Sequence, residues 1–165
     1  MQFYADLYNK HKVAPLPADM NSFGGGNSEF DNGAAAMRIF GRWPQSGMKE
    51  NPNIDLGVVG MPVGAQRANV LFWGGFGLSA LSQDKDAAWR FMRDYTGEPG
   101  AEVWKDWALP TVKSVADSSG LAADPIEGVW INELNYLVPR AYVFTPYWGQ
   151  TADPALRTVL ESVIL

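Results

Sequence analysis

Residues 70–81 place the tightest constraint on how this chain can fold. They form an apolar run interrupted by Gly74, Gly75 and Gly77, with Trp73 and Phe76 set among the glycines. The run reads as a strand, and glycines inside a strand mark a bulge or the close approach of another group. Two further apolar stretches, 34–40 and 54–59, read as short strands. Gly41-Arg42-Trp43-Pro44 stops the first, and the second leads into a linker-like stretch, 61–68, without any period. A last extended stretch is expected at 140–146.

The rest of the chain reads mainly as helix. Phe3, Leu7 and Tyr8 recur at helical spacing over 1–11, and Pro15 and Pro17 end that pattern. Ser28 is placed to cap a short helix reaching Asn32, with Gly33 at its C-terminal end. Pro44 suits the first turn of a helix just past the strand. Asp84 caps a strong helix carrying Ala87, Ala88, Phe91, Met92 and Tyr95 on one stripe, closed by Gly97. Glu98-Pro99 opens the next, with Val103, Trp104 and Trp107 as its apolar side. Residues after Thr111 read as irregular, 126–137 as helix, and Asp153-Pro154 as the start of a final helix running to Leu165. Trp89, Trp104, Trp107 and Trp130 are expected in the core.

Composition narrows the chemistry. The 165 residues suffice for one domain with a core, and 47 % hydrophobic against 19 % charged residues is a globular balance. A net charge of −5 without a basic tract argues against a nucleic-acid partner. With no cysteine and only His11 as histidine, thiolate chemistry is excluded and a histidine-based metal site or triad is not expected. No run approaches a membrane span, and the first residues are no signal peptide. No cofactor is called for, and seven tryptophans suit a stacking site.

Several motifs, in order, carry a family resemblance. Phe30-Asp31-Asn32-Gly33-Ala34-Ala35-Ala36-Met37 is similar to a Phe-x-x-Gly-Lys-Ala-Ala-Met pattern, with Ala34 in the lysine position. Gly41-Arg42-Trp43 follows at the expected distance. Gly74-Gly75-Phe76-Gly77-Leu78-Ser79-Ala80-Leu81-Ser82 and the helix segment Asp86-Ala87-Ala88-Trp89-Arg90-Phe91 come next, then Leu109-Pro110-Thr111-Val112-Lys113-Ser114. Together they resemble the C-terminal portion of family 1 extracellular solute-binding proteins, the sugar-binding subunits of ABC importers.

The resemblance implies an α/β fold of the periplasmic-binding-protein-like type II class, two-lobed, here partial and helix-rich with short strands. Residues 1–62 and 121–165 would be C-terminal-lobe elements and 70–116 N-terminal-lobe elements. A helix opening uncapped at residue 1 and a last helix still apolar at Leu165 suggest part of a longer protein. The implied partners are a sugar-like solute, the importer's membrane subunits, and a missing N-terminal half or another copy of the chain. The implied location is extracytoplasmic, as a periplasmic protein or a cell-surface lipoprotein.

Candidate ligand residues follow from the same motifs. Trp43 would stack on a sugar face, and Arg42 would donate a forked pair of hydrogen bonds. Gly74 and Gly75 would offer bare backbone, and Phe76 a second wall. On a straight strand Trp73 and Gly75 share one face and Gly74 and Phe76 the other, so all four cannot face one cleft. Tyr147 and Trp148 would supply an aromatic platform. Among the acids, Asp84, Asp86 and Glu98 read as helix-start residues, Asp31 as a turn residue, and Glu127 and Glu133 as helix positions without a visible partner. No general acid and base assemble, so catalysis is not expected. The alternatives are a glycoside-hydrolase-like domain, which needs two converging carboxylates, and an inert fragment.

Overall fold

The computed structural model describes residues 2–16, 19–24, 28–140 and 146–164. About half of the chain is helical, and among the described residues no strand or sheet forms. The α/β expectation is therefore overturned. The stretches 34–40, 54–59 and 70–81 contain no strand, and positions 141–145 of the expected extended stretch lie outside the described residues. A strand is held by its ladder, and these apolar runs find no neighbour to pair with. A parallel bridge between Asn69 and Leu137 is made by Asn69 N–H to the Tyr136 carbonyl at 2.8 Å and Val138 N–H to the Asn69 carbonyl at 2.9 Å. It fixes the start of the 70–81 run and goes no further.

Two units make up the chain. The first takes residues 1–38 and 139–165, the second 39–138. These cuts fall elsewhere than the lobe limits near 62 and 121 that the resemblance implies.

In the first unit, α1 (Gln2–Asn9) lies against α8 (Asp153–Ile164), joined by Asn9 Nδ2 donating to the Val163 carbonyl at 3.0 Å. Between them in sequence come a 3-10 turn (Asp19–Phe23) and α2 (Ser28–Asp31). Gly33 follows α2 with φ +73°, the left-handed conformation that ends a helix. The Glu29 carboxylate at the start of α2 pairs with Arg38 at 2.6 Å.

In the second unit, α3 (Gln45–Glu50) starts after Pro44 as its position predicts. In α4 (Lys85–Thr96) the Asp84 carboxylate accepts from the Ala87 N–H at 2.8 Å, so the expected cap is present. Gly97 ends α4 and serves as N-cap to α5 (Glu98–Trp104), which turns back on α4. A helix expected as irregular chain, α6 (Lys113–Ser118), packs on α5. α7 (Glu127–Glu133) continues into a 3-10 turn, Leu134–Tyr136.

The buried interior is small and unusually polar. Among the described residues its apolar members are Ala5, Met48, Ala101 and Val115, while Glu29, Arg42, Gln45, Glu127 and Glu133 are also buried. The tryptophans expected in the core are largely outside it: Trp89 is 59 % exposed and Trp107 56 %, and α4 buries no residue. An amphipathic stripe becomes core only where elements cover it on all sides, and α5 packs against α4 without burying any of its residues.

The backbone packs closely at the corner between α4 and α5. A Cβ on Gly100 would stand 1.7 Å from the Tyr95 carbonyl oxygen. Gly100→Ala is expected to destabilise the chain by about 1–3 kcal/mol, the usual cost of forcing extra atoms into a packed site. A chemical-denaturation midpoint equal to that of the unsubstituted chain would refute this close packing.

Candidate functional site

α7 organises the region around Arg42 and Trp43. Asp124 sets its start, accepting from the Ile126 N–H at 2.8 Å and the Glu127 N–H at 2.9 Å, and these two bonds hold the Asp124 carboxyl below its ordinary range. Glu127, the first residue of α7, is 5 % exposed. Its carboxylate accepts from Arg42 Nε at 2.6 Å, Gln45 Nε2 at 2.6 Å and Lys49 Nζ at 3.0 Å. Gln45 in turn accepts from the Trp130 indole N–H at 2.5 Å. Arg42 Nη2 donates to the Lys105 carbonyl just past α5, at 2.7 Å. The 42–49 segment is thus tied to α7 and to the end of α5 through one carboxylate and one guanidinium.

Glu133 repeats the arrangement at the last turn of α7. Arg67 Nη2 bonds its Oε1, Asn69 Nδ2 donates to its Oε2 at 3.0 Å, and the Arg67 guanidinium lies 4.1 Å above the Tyr136 ring centre. A side chain at Gly60 would meet both members of this pair at 2.5 Å, so the chain passes there as bare backbone. Neither arginine was legible from sequence as a partner of these acids. The one available signal was a carboxylate at each end of a short helix that otherwise carries Val129, Trp130 and Ile131.

Arg42 is therefore engaged inside the protein. Its Nε and Nη2 are committed to Glu127 and Lys105, so the forked donation to a ligand expected of it does not describe these groups. Its Nη1, also buried, has no hydrogen-bond partner among the described residues.

Trp43 stands next to this anchor and faces outward, 56 % exposed. Phe72 meets it edge-on, with ring centres 5.7 Å apart at 75°. The indole lies so close to Gly41 that a Cβ there would be 1.8 Å from Trp43 Cζ3. Gly41 thus leaves room for the ring, and Phe72 touches its edge.

The second set of expected residues divides. Gly74 would meet nothing within 4 Å if it carried a Cβ, and Gly75 would meet only Trp73 at 3.5 Å, so their backbone lies open. Phe76 leans on Tyr95 with ring centres 4.8 Å apart, and Tyr95 also touches Phe91 and Trp104. Trp43 and Phe76 make no ring contact with each other; each is held by a different part of the second unit. Tyr147 and Trp148 belong to the first unit, Tyr147 exposed and Trp148 opening a π-helical turn, Trp148–Ala152.

A cavity of about 300 Å³ lies elsewhere in the second unit, walled by Leu109, Pro110, Ala116, Leu121, Ile131 and Leu134. It includes none of the expected ligand residues. Among the described residues no group of three or more acids and histidines is arranged to hold a metal, and no helix is long and apolar enough to cross a membrane. The chain matches no protein-family model and no curated protein.

Burial pushes the Glu127 carboxyl up, but the Arg42 and Lys49 hydrogen bonds and charges outweigh it and hold the group below 4.5, its ordinary value. A carboxyl held down in the folded state contributes stability that is complete above the ordinary value and lost as pH falls through the lower folded one. Stability is therefore expected to decline below about pH 4.5, and Glu127→Gln to lose that part of the decline. Leaving the Arg42 charge buried without its partner is expected to cost about 3–5 kcal/mol at neutral pH. Denaturant titrations of both proteins across this range check the point, and parallel stability–pH curves would show Glu127 ionisation to be unlinked to folding.

Proposed function

We propose that this chain binds a carbohydrate-type solute without transforming it, as the extracytoplasmic binding component of an ABC importer. The observation that carries the reading is the Trp43 ring, exposed on its outer side and fixed from below. Gly41 leaves it room, Phe72 meets its edge, and the Arg42–Glu127 pair secures the turn that bears it. A flat apolar face held this way suits the C–H face of a pyranose, and a pre-set ring loses little freedom on binding. The motif order described under the sequence supports the same reading. Solute delivery by lobe closure to importer membrane subunits belongs to this proposal and rests on the resemblance alone.

The acids near the aromatic residues have structural partners, which favours binding over hydrolysis. Glu127 and Glu133 are held by arginines, Asp84 caps α4, and Glu98 accepts from the Ser114 hydroxyl at 3.0 Å.

Calorimetric and thermal-shift titration with a panel of mono- and oligosaccharides tests the reading. A specific ligand at about 100 times its Kd stabilises the fold by about 2.7 kcal/mol. Trp43→Ala is expected to weaken the best sugar at least about tenfold, or about 1.4 kcal/mol, with helical circular dichroism unchanged. A flat response of the unsubstituted chain to concentrated sugars would overturn the function, and full affinity in Trp43→Ala would overturn the site. Chromogenic glycosides are expected to remain uncleaved.

A further inference from the structure

Asn32 is the one asparagine in the chain that is followed by glycine. Both residues are exposed, and the Asn32 side-chain amide has no hydrogen-bond partner among the described residues. Gly33 has φ +73°, and a Cβ placed on it would meet nothing within 4 Å. The space beside Gly33 is therefore open, and the residue brings no side chain to crowd its own backbone nitrogen. A bond from that nitrogen to Asn32 Cγ closes a five-membered ring.

The hydrogen bonds of the turn oppose this closure. Gly33 N–H donates to the Phe30 carbonyl at 3.0 Å, and Asn32 N–H to the Ser28 carbonyl at 2.9 Å. Both are end bonds of α2, which has four residues. A helix of one turn has almost no stability of its own, and hydrogen bonds at an exposed end open at little cost in free energy. Each opening leaves the Gly33 nitrogen able to lose its proton and to turn toward the side chain. The bond slows closure by the fraction of time it is made and does not prevent it.

Asn53 supplies an internal comparison. It is exposed as well, but the residue after it is Ile54. A side chain branched at Cβ is stiff and crowds its own backbone nitrogen. Ring closure is hindered at Asn53 where at Asn32 it is not.

We propose that Asn32–Gly33 is a site of spontaneous chemical modification, at which the folded chain converts Asn32 into aspartate and isoaspartate. The Gly33 nitrogen gives up its proton and attacks Asn32 Cγ. The new C–N bond forms as the Cγ–Nδ2 bond breaks, and the side-chain nitrogen leaves with a proton as ammonia. Water then opens the cyclic imide at one of its two carbonyls. Opening at Cγ restores the original main chain with aspartate at 32. Opening at the main-chain carbonyl leaves isoaspartate, with the chain routed through the former side chain. Either product adds a negative charge beside Asp31 and three positions from Glu29, both of the same sign. Isoaspartate also lengthens the main chain inside the turn that the Ala35 N–H closes on the Glu29 carbonyl at 2.8 Å. The site lies in the first unit and is independent of the sugar-binding reading.

Incubation of the full chain in mildly alkaline buffer, followed by peptide mapping with tandem mass spectrometry, tests the proposal. Conversion at Asn32 is expected to be at least roughly tenfold faster than at Asn53, because Ile54 crowds the attacking nitrogen there. Isoaspartate is expected among the products, with ammonia released in step. Asn32→Gln, whose closure needs a larger ring, is expected to stay unmodified at 32 with helical circular dichroism unchanged. Unfolding the chain in urea removes the turn and is expected to speed conversion at Asn32. An Asn32 that stays intact in the folded chain, whether or not the unfolded chain converts, would overturn the proposal. Equal rates at Asn32 and Asn53 would overturn it too, by showing that Gly33 confers no advantage.

Discussion

The second unit depends on two buried carboxylates, one at each end of α7. Glu127 draws in Arg42, Gln45 and Lys49; Glu133 draws in Arg67 and Asn69. Removing a charge from water is costly unless it is fully met by opposite charge and hydrogen bonds. Each carboxylate therefore fixes the position of every donor that serves it. The segments at 42–49 and 60–69 have little regular structure of their own beyond α3, and α7 holds both. The exposed indole at 43 inherits its stability from a helix 84 residues later in the chain, at Glu127.

Polar fixation takes over work that apolar burial usually performs. Hydrophobic residues make up 47 % of the chain, yet among the described residues the buried apolar set consists of three small or mid-sized side chains and one methionine. Leucines, tryptophans and phenylalanines in 70–81 and along α4 lie at the surface instead. Apolar surface left in water gives up about 25 cal/mol for each Å² not buried. The chain thus carries a reserve of stabilisation that only further contact can release, shared between aromatic and aliphatic side chains.

Features set by neighbouring residues were legible in the sequence. The Asp84 cap, the Gly97 boundary, the Pro44 helix start and the left-handed Gly33 each arise within a few positions, and each is present. Features that need a distant partner were not. The runs at 34–40, 54–59 and 70–81 have strand composition, but composition does not supply a neighbouring strand. Arg42 beside Trp43 read as a ligand donor because Glu127 is 85 positions away in sequence and nothing local links them. The tryptophans of α4 and α5 showed a real amphipathic stripe, and periodicity says which face is apolar without saying whether anything covers it. For the candidate site, the exposed ring at Trp43 was visible from its motif, whereas the support beneath it emerged only from the fold.

The open backbone at 73–78 also bears on the fate of the chain in a cell. Exposed segments without internal hydrogen bonds are the preferred sites of proteolytic nicking, and this one offers Trp73 and Phe76 as large apolar side chains to a protease pocket. Cleavage there would cut the chain between the 39–69 segment and α4, yet the ion pairs of α7 with Arg42, Lys49 and Arg67 would keep the nicked pieces of the second unit together.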